Sequence, residues 1–148
     1  MGIKWIMAAN AAEAKLYKYN RIQKDLDLIE IFKNDDMRKK GRDIETDRQG
    51  SSQDSHGFAK HGYSKEKSFN DIFEETFAQN IIQTLEKHLA ANEFEEIIIA
   101  MSPHFLGKFR KKISANLSKA VKQEIAKDLT HFTQKELAEY MQKSYNLI

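Results

Sequence analysis

Apolar residues along this chain follow two periods, and the changes between them outline the fold. Ile97-Ile98-Ile99-Ala100-Met101 is a continuous apolar run. Such a run suits a strand covered on both faces, as in the middle of an α/β sheet. Ile3 to Ala9, with Trp5 and Met7, reads the same way. Ala14-Lys15-Leu16-Tyr17-Lys18-Tyr19 alternates and predicts another strand, and Leu26, Leu28, Ile29 and Ile31 mark one more, reaching about Lys33. The short connections between these three, Asn10 to Glu13 and then Asn20-Arg21 onward, predict an antiparallel meander.

Helical spacing takes over at Ser68. Phe69, Phe73, Phe77, Ile81, Leu85 and Leu89 form a stripe to about Ala91, and Ser68 with Asp71 has the form of a capping box. After Met101 the rule changes again. Ser102 is a favoured N-cap whose hydroxyl can accept from an orphan helix N–H, and Pro103 at the first helical position loses nothing by lacking a donor. Phe105, Leu106, Phe109 and Ile113 then recur at helical spacing. Thr133 with Glu136 is a second capping box, followed by Leu137, Tyr140 and Met141 on one face. The pattern predicts about five strands and helices near 68–91, 103–112 and 133–144. Two stretches stay open. Ser114 to Ala120 can continue as helix, and Val121, Ile125 and Leu129, four apart, fit a strand or a helix.

From Asn34 to Lys67 the apolar pattern collapses into Gly, Ser, Asp, Gln, His and basic residues. A run this long without periodicity inside a compact domain predicts a functional or mobile loop over about 34–67. It holds eight Lys or Arg and seven acids, so it is a mixed-charge loop and not a basic tail.

Composition narrows the class. The chain has 148 residues, 41% hydrophobic and 31% charged, which fits one ordinary globular domain, 1–148. Net charge is only +2, yet the segment from His104 to Lys127 carries seven Lys or Arg against one acid, Glu124, leaving it at +6 and the remainder at −4. A local basic face points to an anionic partner more strongly than a global balance does. The absence of cysteine excludes disulfides, thiol chemistry and Cys-based metal sites. No stretch approaches the ~20 apolar residues of a membrane span, and MGIKWIMAAN lacks a basic leader, so the expectation is a cytoplasmic protein without a membrane partner.

The candidate chemistry is binding. A helix beginning at Ser102 directs free N–H groups and a positive dipole end at the strand edge, where His104 and Lys108 can add donors, so Ser102 and His104 are candidate anion ligands. Lys108, Arg110, Lys111 and Lys112, continued by Lys119 and Lys122, form the best nucleic-acid feature, since phosphate binding needs clustered cations. In the polar loop Arg38, Lys39, Lys40, Arg42 and Arg48, interleaved with Asp43, Glu45 and Asp47, are candidates for the same partner. No catalytic residue, metal or cofactor is assigned. Ile3 to Ala9 holds no carboxylate for a two-metal nuclease, and His56, His61 and Asp54 sit in a loop where such residues are usually just polar. Ser102 with His104 or His131 lacks a nucleophile elbow, and Asp128, Thr130 and His131 read as a turn before the last helix.

WIMAANAAEAKLYKY at 5–19, TDRQG at 46–50, SPHFLGKFRKKI at 102–113 and AKDLTHFTQKEL at 126–137, taken together, resemble the bacterial host-attachment protein family over nearly the whole chain. That family is similar in fold to the central domain of archaeo-eukaryotic peptide release factors. The resemblance implies a ribonuclease-H-like α/β domain with a mixed sheet and flanking helices, and a strand over roughly Val121 to Asp128. It also implies RNA or a ribosomal surface as partner, in a translation-linked and non-enzymatic role. A metal-dependent nuclease or a release-type hydrolase on the same scaffold is the other reading. Two departures oppose it: Asn10 stands where many relatives carry Asp, and the release-factor GGQ is missing, its nearest counterpart being Arg48-Gln49-Gly50.

Overall fold

The computed structural model describes residues 2–37 and 68–145. Strands β1 (Lys4–Ala9), β2 (Glu13–Asn20) and β3 (Asp25–Lys33) come first, then helix α1 (Phe69–Ala90) and strand β4 (Glu96–Met101). Helices α2 (Pro103–Lys112) and α3 (Ala115–Ala120), strand β5 (Val121–Ile125) and helix α4 (Gln134–Tyr145) follow. The sheet order is β3-β2-β1-β4-β5. The expected meander is present, β1 pairing antiparallel with β2 and β2 with β3, while β1 with β4 and β4 with β5 are parallel. This is an α/β fold with a five-stranded, mixed, open sheet and flanking helices.

The continuous apolar runs have a simple cause. β1 and β4 are the inner strands, and both of their faces are covered. Trp5, Met7 and Ala9, with Ile97, Ile99 and Met101, face a layer built by Phe77, Ile81 and Leu85 of α1, Phe105 and Phe109 of α2, and Leu117 of α3. Ile6, Ala8, Ile98 and Ala100 face the other way, onto Leu137, Ala138 and Met141 of α4. β3 lies at the edge and leaves Leu28, Ile29 and Ile31 substantially exposed among the described residues.

Helix ends follow local chemistry. Ser68 Oγ accepts from Asp71 N at 3.1 Å, as the capping box requires. α1 stops in a Schellman arrangement: Asn92 adopts φ 59°, its N–H donates to Leu89 O, and Glu93 N–H donates to His88 O. The Thr133–Glu136 box is reciprocal, Thr133 N donating to Glu136 Oε1 at 2.8 Å and Glu136 N to Thr133 Oγ1 at 3.1 Å. Ser102 departs from expectation. Its side chain makes no capping bond; instead its N–H donates to Ala9 O at 3.2 Å, which ties the end of β4 to the end of β1. Ser114 to Ala120 is not a continuation of α2. Ile113 is extended, and Ser114 caps a separate short helix by accepting from Leu117 N. Val121 opens β5, as the resemblance implied, but the strand ends at Ile125, short of Asp128.

Asn34, where the polar segment begins, is buried. Its amide donates to Ala11 O at 2.9 Å and Phe73 O at 3.3 Å, and residues 35–37 are helical. The rest of the expected loop, with Arg38, Lys39, Lys40, Arg42, Arg48, His56 and His61, lies outside the described residues.

Candidate functional site

Helix α2 is amphipathic for a reason visible in its sequence. Phe105, Leu106 and Phe109 are buried on the sheet, each contributing about 1.5–3 kcal/mol relative to exposure. That anchoring turns Lys108, Arg110, Lys111 and Lys112 outward or sideways, toward α1 and β5.

There the cations meet carboxylates. Lys108 Nζ lies 2.8 Å from Asp71 Oδ1 and 3.7 Å from Glu74 Oε2, and its side chain is largely covered. Burial alone would lower the Lys108 pKa, but the Asp71 hydrogen bond and the charges of Asp71, Glu74 and Glu75 outweigh it and hold it above the ordinary lysine value. The Lys108 hydrogen bond is also what chiefly holds Asp71 below the usual carboxylate range. Arg110 reaches Glu124 Oε1 with both Nε (2.7 Å) and Nη2 (2.6 Å), and Lys112 Nζ is 3.6 Å from Glu75 Oε1. Lys122 pairs with Glu96 at 3.4 Å. Lys111 has no ion pair with any described residue. The basic strip is thus real as a surface, but most of its charge is already answered by acids of α1, β4 and β5.

At the start of α2 the predicted anion ligand His104 faces an anion of the chain itself. Its Nε2 is 3.1 Å from Glu74 Oε2. Glu74 sits one turn above Asp71 on α1, and the ligand atoms of Asp71, Glu74 and His104 all fall within 4.8 Å of one another. Sequence reading missed this trio. Asp71 and Glu74 are three apart on a helical stripe, which puts them on one face, but nothing local says that the start of α2 lies opposite.

A third cluster lies beyond the ends of β1 and β5. Asn10 Oδ1 accepts from Ala12 N (2.8 Å) and Glu13 N (2.9 Å), which closes the β1–β2 turn. Its Nδ2 donates to Asp128 Oδ2 (2.9 Å) and Thr130 Oγ1 (3.1 Å), while Asp128 Oδ1 accepts from Thr130 N (2.9 Å) and Thr130 Oγ1 (2.6 Å). Lys15 Nζ donates to Thr130 O at 2.7 Å. Burial would raise the Asp128 pKa, but the Thr130 and Asn10 hydrogen bonds outweigh it and the carboxyl is held low. Asp128 and Thr130 do organise the turn before the last helix, and they also clamp it to β1, a long-range role the sequence did not disclose.

Among the described residues no helix is long and apolar enough to cross a membrane. An uncharacterized protein of Rickettsia prowazekii is 41% identical to this chain over 64 residues, a match spanning 42% of this chain and 43% of the relative, so less than half of either protein is aligned. The family model described as "protein required for attachment to host cells" matches residues 5–141, from the first strand into the last helix, and the chain therefore belongs to that host-attachment family.

Proposed function

We propose that this chain is a non-enzymatic binding module on a ribonuclease-H-like scaffold, similar to the central domain of release factors, and that it meets RNA or a ribosomal surface through the outward face of α2. The scaffold reading is supported by the strand order, an antiparallel meander followed by two parallel strands joined through helices. The observation that carries the partner is the last turn of α2, where Arg110, Lys111 and Lys112 are all exposed, Lys111 pointing away from Phe105 and Phe109 and Arg110 and Lys112 flanking it toward β5 and α1. Exposed pairs such as Arg110–Glu124 are worth only about 0–1 kcal/mol, so a phosphate can displace the carboxylate at small cost. Lys108 is the weakest member of this set, since its ammonium is held by Asp71. Arg38, Lys39, Lys40, Arg42 and Arg48 extend the same contact in this reading. The enzymatic alternative is less well supported, because Asn10 stands where the nuclease reading needs a carboxylate and its amide is committed to Asp128.

The family description names a cellular outcome, attachment to host cells, and leaves the molecular contact to experiment. Co-sedimentation with ribosomes at low and moderate salt tests it. Three phosphate contacts predict a logarithmic salt slope of roughly −2 to −3. K111E, which breaks no ion pair of the described residues, is expected to weaken binding at every salt concentration. Binding that ignores both salt and K111E would reject this surface.

A further inference from the structure

Glu74 is the most unusual charged residue of the described chain. It is 7% exposed, and its Oε2 is buried without a hydrogen-bond partner among the described residues. His104 Nε2 and Lys108 Nζ approach that oxygen at 3.1 and 3.7 Å, without the alignment of a hydrogen bond. A buried carboxylate oxygen attracts whatever cation can reach it, because leaving it unanswered is costly. The two arms beside it are open to solvent on one side: the His104 side chain is 71% exposed and that of Asp71 38%.

We propose that Asp71, Glu74 and His104 form a binding site for one divalent transition-metal ion of the zinc class, and that Lys108 is its built-in competitor. The donor set is two carboxylate oxygens and one imidazole nitrogen, which suits Zn²⁺ or Co²⁺ better than Mg²⁺ or Ca²⁺, ions that favour all-oxygen shells. Ligand bonds of about 2.0–2.2 Å around a tetrahedral ion put the donors roughly 3–3.5 Å apart. Glu74 and His104 are already at that spacing, and Asp71 closes the set by a small rotation from within 4.8 Å. Three protein ligands leave a position open for water or a partner's group. In the absence of metal the Lys108 ammonium, 2.8 Å from Asp71, supplies one positive charge to the two carboxylates. A bound dication requires it to swing away, so its removal strengthens the site. The site shares only Lys108 with the proposed RNA-binding set, uses none of Arg110, Lys111 and Lys112 and nothing of the Asn10–Asp128 clamp, and stands or falls independently of RNA binding.

The test is calorimetric titration of the tag-free full chain with Zn²⁺, with the visible spectrum of Co²⁺ as the signature of coordination. Wild type is expected to bind one ion, K108M to bind it at least 10-fold more tightly, and E74Q and H104A at least 10-fold more weakly. H56A/H61A, which removes the other paired histidines, is expected to bind as wild type does. Circular dichroism of each metal-free variant confirms the fold; should E74Q unfold, H104A, altered at an exposed side chain, decides alone. Unchanged affinity in H104A, loss of binding in H56A/H61A, or no binding by wild type and K108M alike would overturn the site. Affinity in K108M no greater than in wild type would overturn the role of Lys108.

Discussion

Replacing Asn10 by Asp isolates one contact with little else disturbed. The Oδ1 acceptor for Ala12 N and Glu13 N survives, so the β1–β2 turn keeps its closure. Only the Nδ2 donor is lost, and a carboxylate oxygen takes its place 2.9 Å from Asp128 Oδ2. Two unit charges at that distance repel by about 5–6 kcal/mol at an effective dielectric of 20. The pair has a cheaper route, in which one carboxyl takes a proton and donates it to the other, as in carboxylate dyads. From an ordinary pKa near 4 that protonation costs about 4 kcal/mol at pH 7, which caps the repulsive penalty. Partial exposure of both residues reduces it further, so we expect N10D to lose about 2–4 kcal/mol at pH 7. The sign of the pH dependence follows. Folded N10D holds one proton more than its unfolded chain, so its stability falls as pH rises, by up to about 1.4 kcal/mol per unit, and the deficit shrinks toward pH 5. Urea unfolding of wild type, N10D and N10A at pH 5, 6, 7 and 8 measures this. N10A loses the turn acceptor and the amide donor without adding charge, and its deficit stays nearly flat across the series. A deficit in N10D below about 0.5 kcal/mol at pH 7, or one that does not respond to pH, would refute the clamp as described.

Two further outcomes are open to simple thermal melts. A Cβ added at Gly107 meets nothing within 4 Å, so G107A in the middle of α2 is expected to gain about 0.5–1 kcal/mol, or roughly 2–4 °C; a lower Tm would mean that the helix needs that glycine. T133A removes the hydroxyl that caps α4 and is expected to cost about 1 kcal/mol, whereas Thr133→Ser keeps a capping hydroxyl and is expected to lose little.

What the sequence disclosed and what it hid divide along a physical line. β1 and β4 were legible because burial on both faces leaves an uninterrupted apolar run, and the caps at Ser68 and Thr133 because a capping box is complete within four residues. Ser102 looked like the same signal, but its residue follows a strand that must also be tied to β1, and its N–H serves that pairing. β5 was ambiguous to periodicity because an edge strand whose middle residues are exposed has no apolar rhythm to show. The basic strip was legible as composition and misleading as electrostatics. Counting charge from His104 to Lys127 leaves out Asp71, Glu74 and Glu75, which arrive from α1 some thirty residues earlier. The Asn10–Asp128 clamp joins residues 118 apart and leaves no trace in local pattern.

The sheet also divides the interior into two cores that share a backbone and little else. Trp5 stacks on Phe94 at 4.7 Å, in the layer beneath α1, while its neighbour Ile6 packs toward α4. Energetic coupling between substitutions depends on shared partners and not on adjacency in the chain. Losses from trimming Met7 and Ile99, which share a core, should therefore interact, whereas losses from trimming Met7 and Ile98 should come close to adding. Along the inner strands, whether a residue number is odd or even says more about its energetic company than which residue stands next to it.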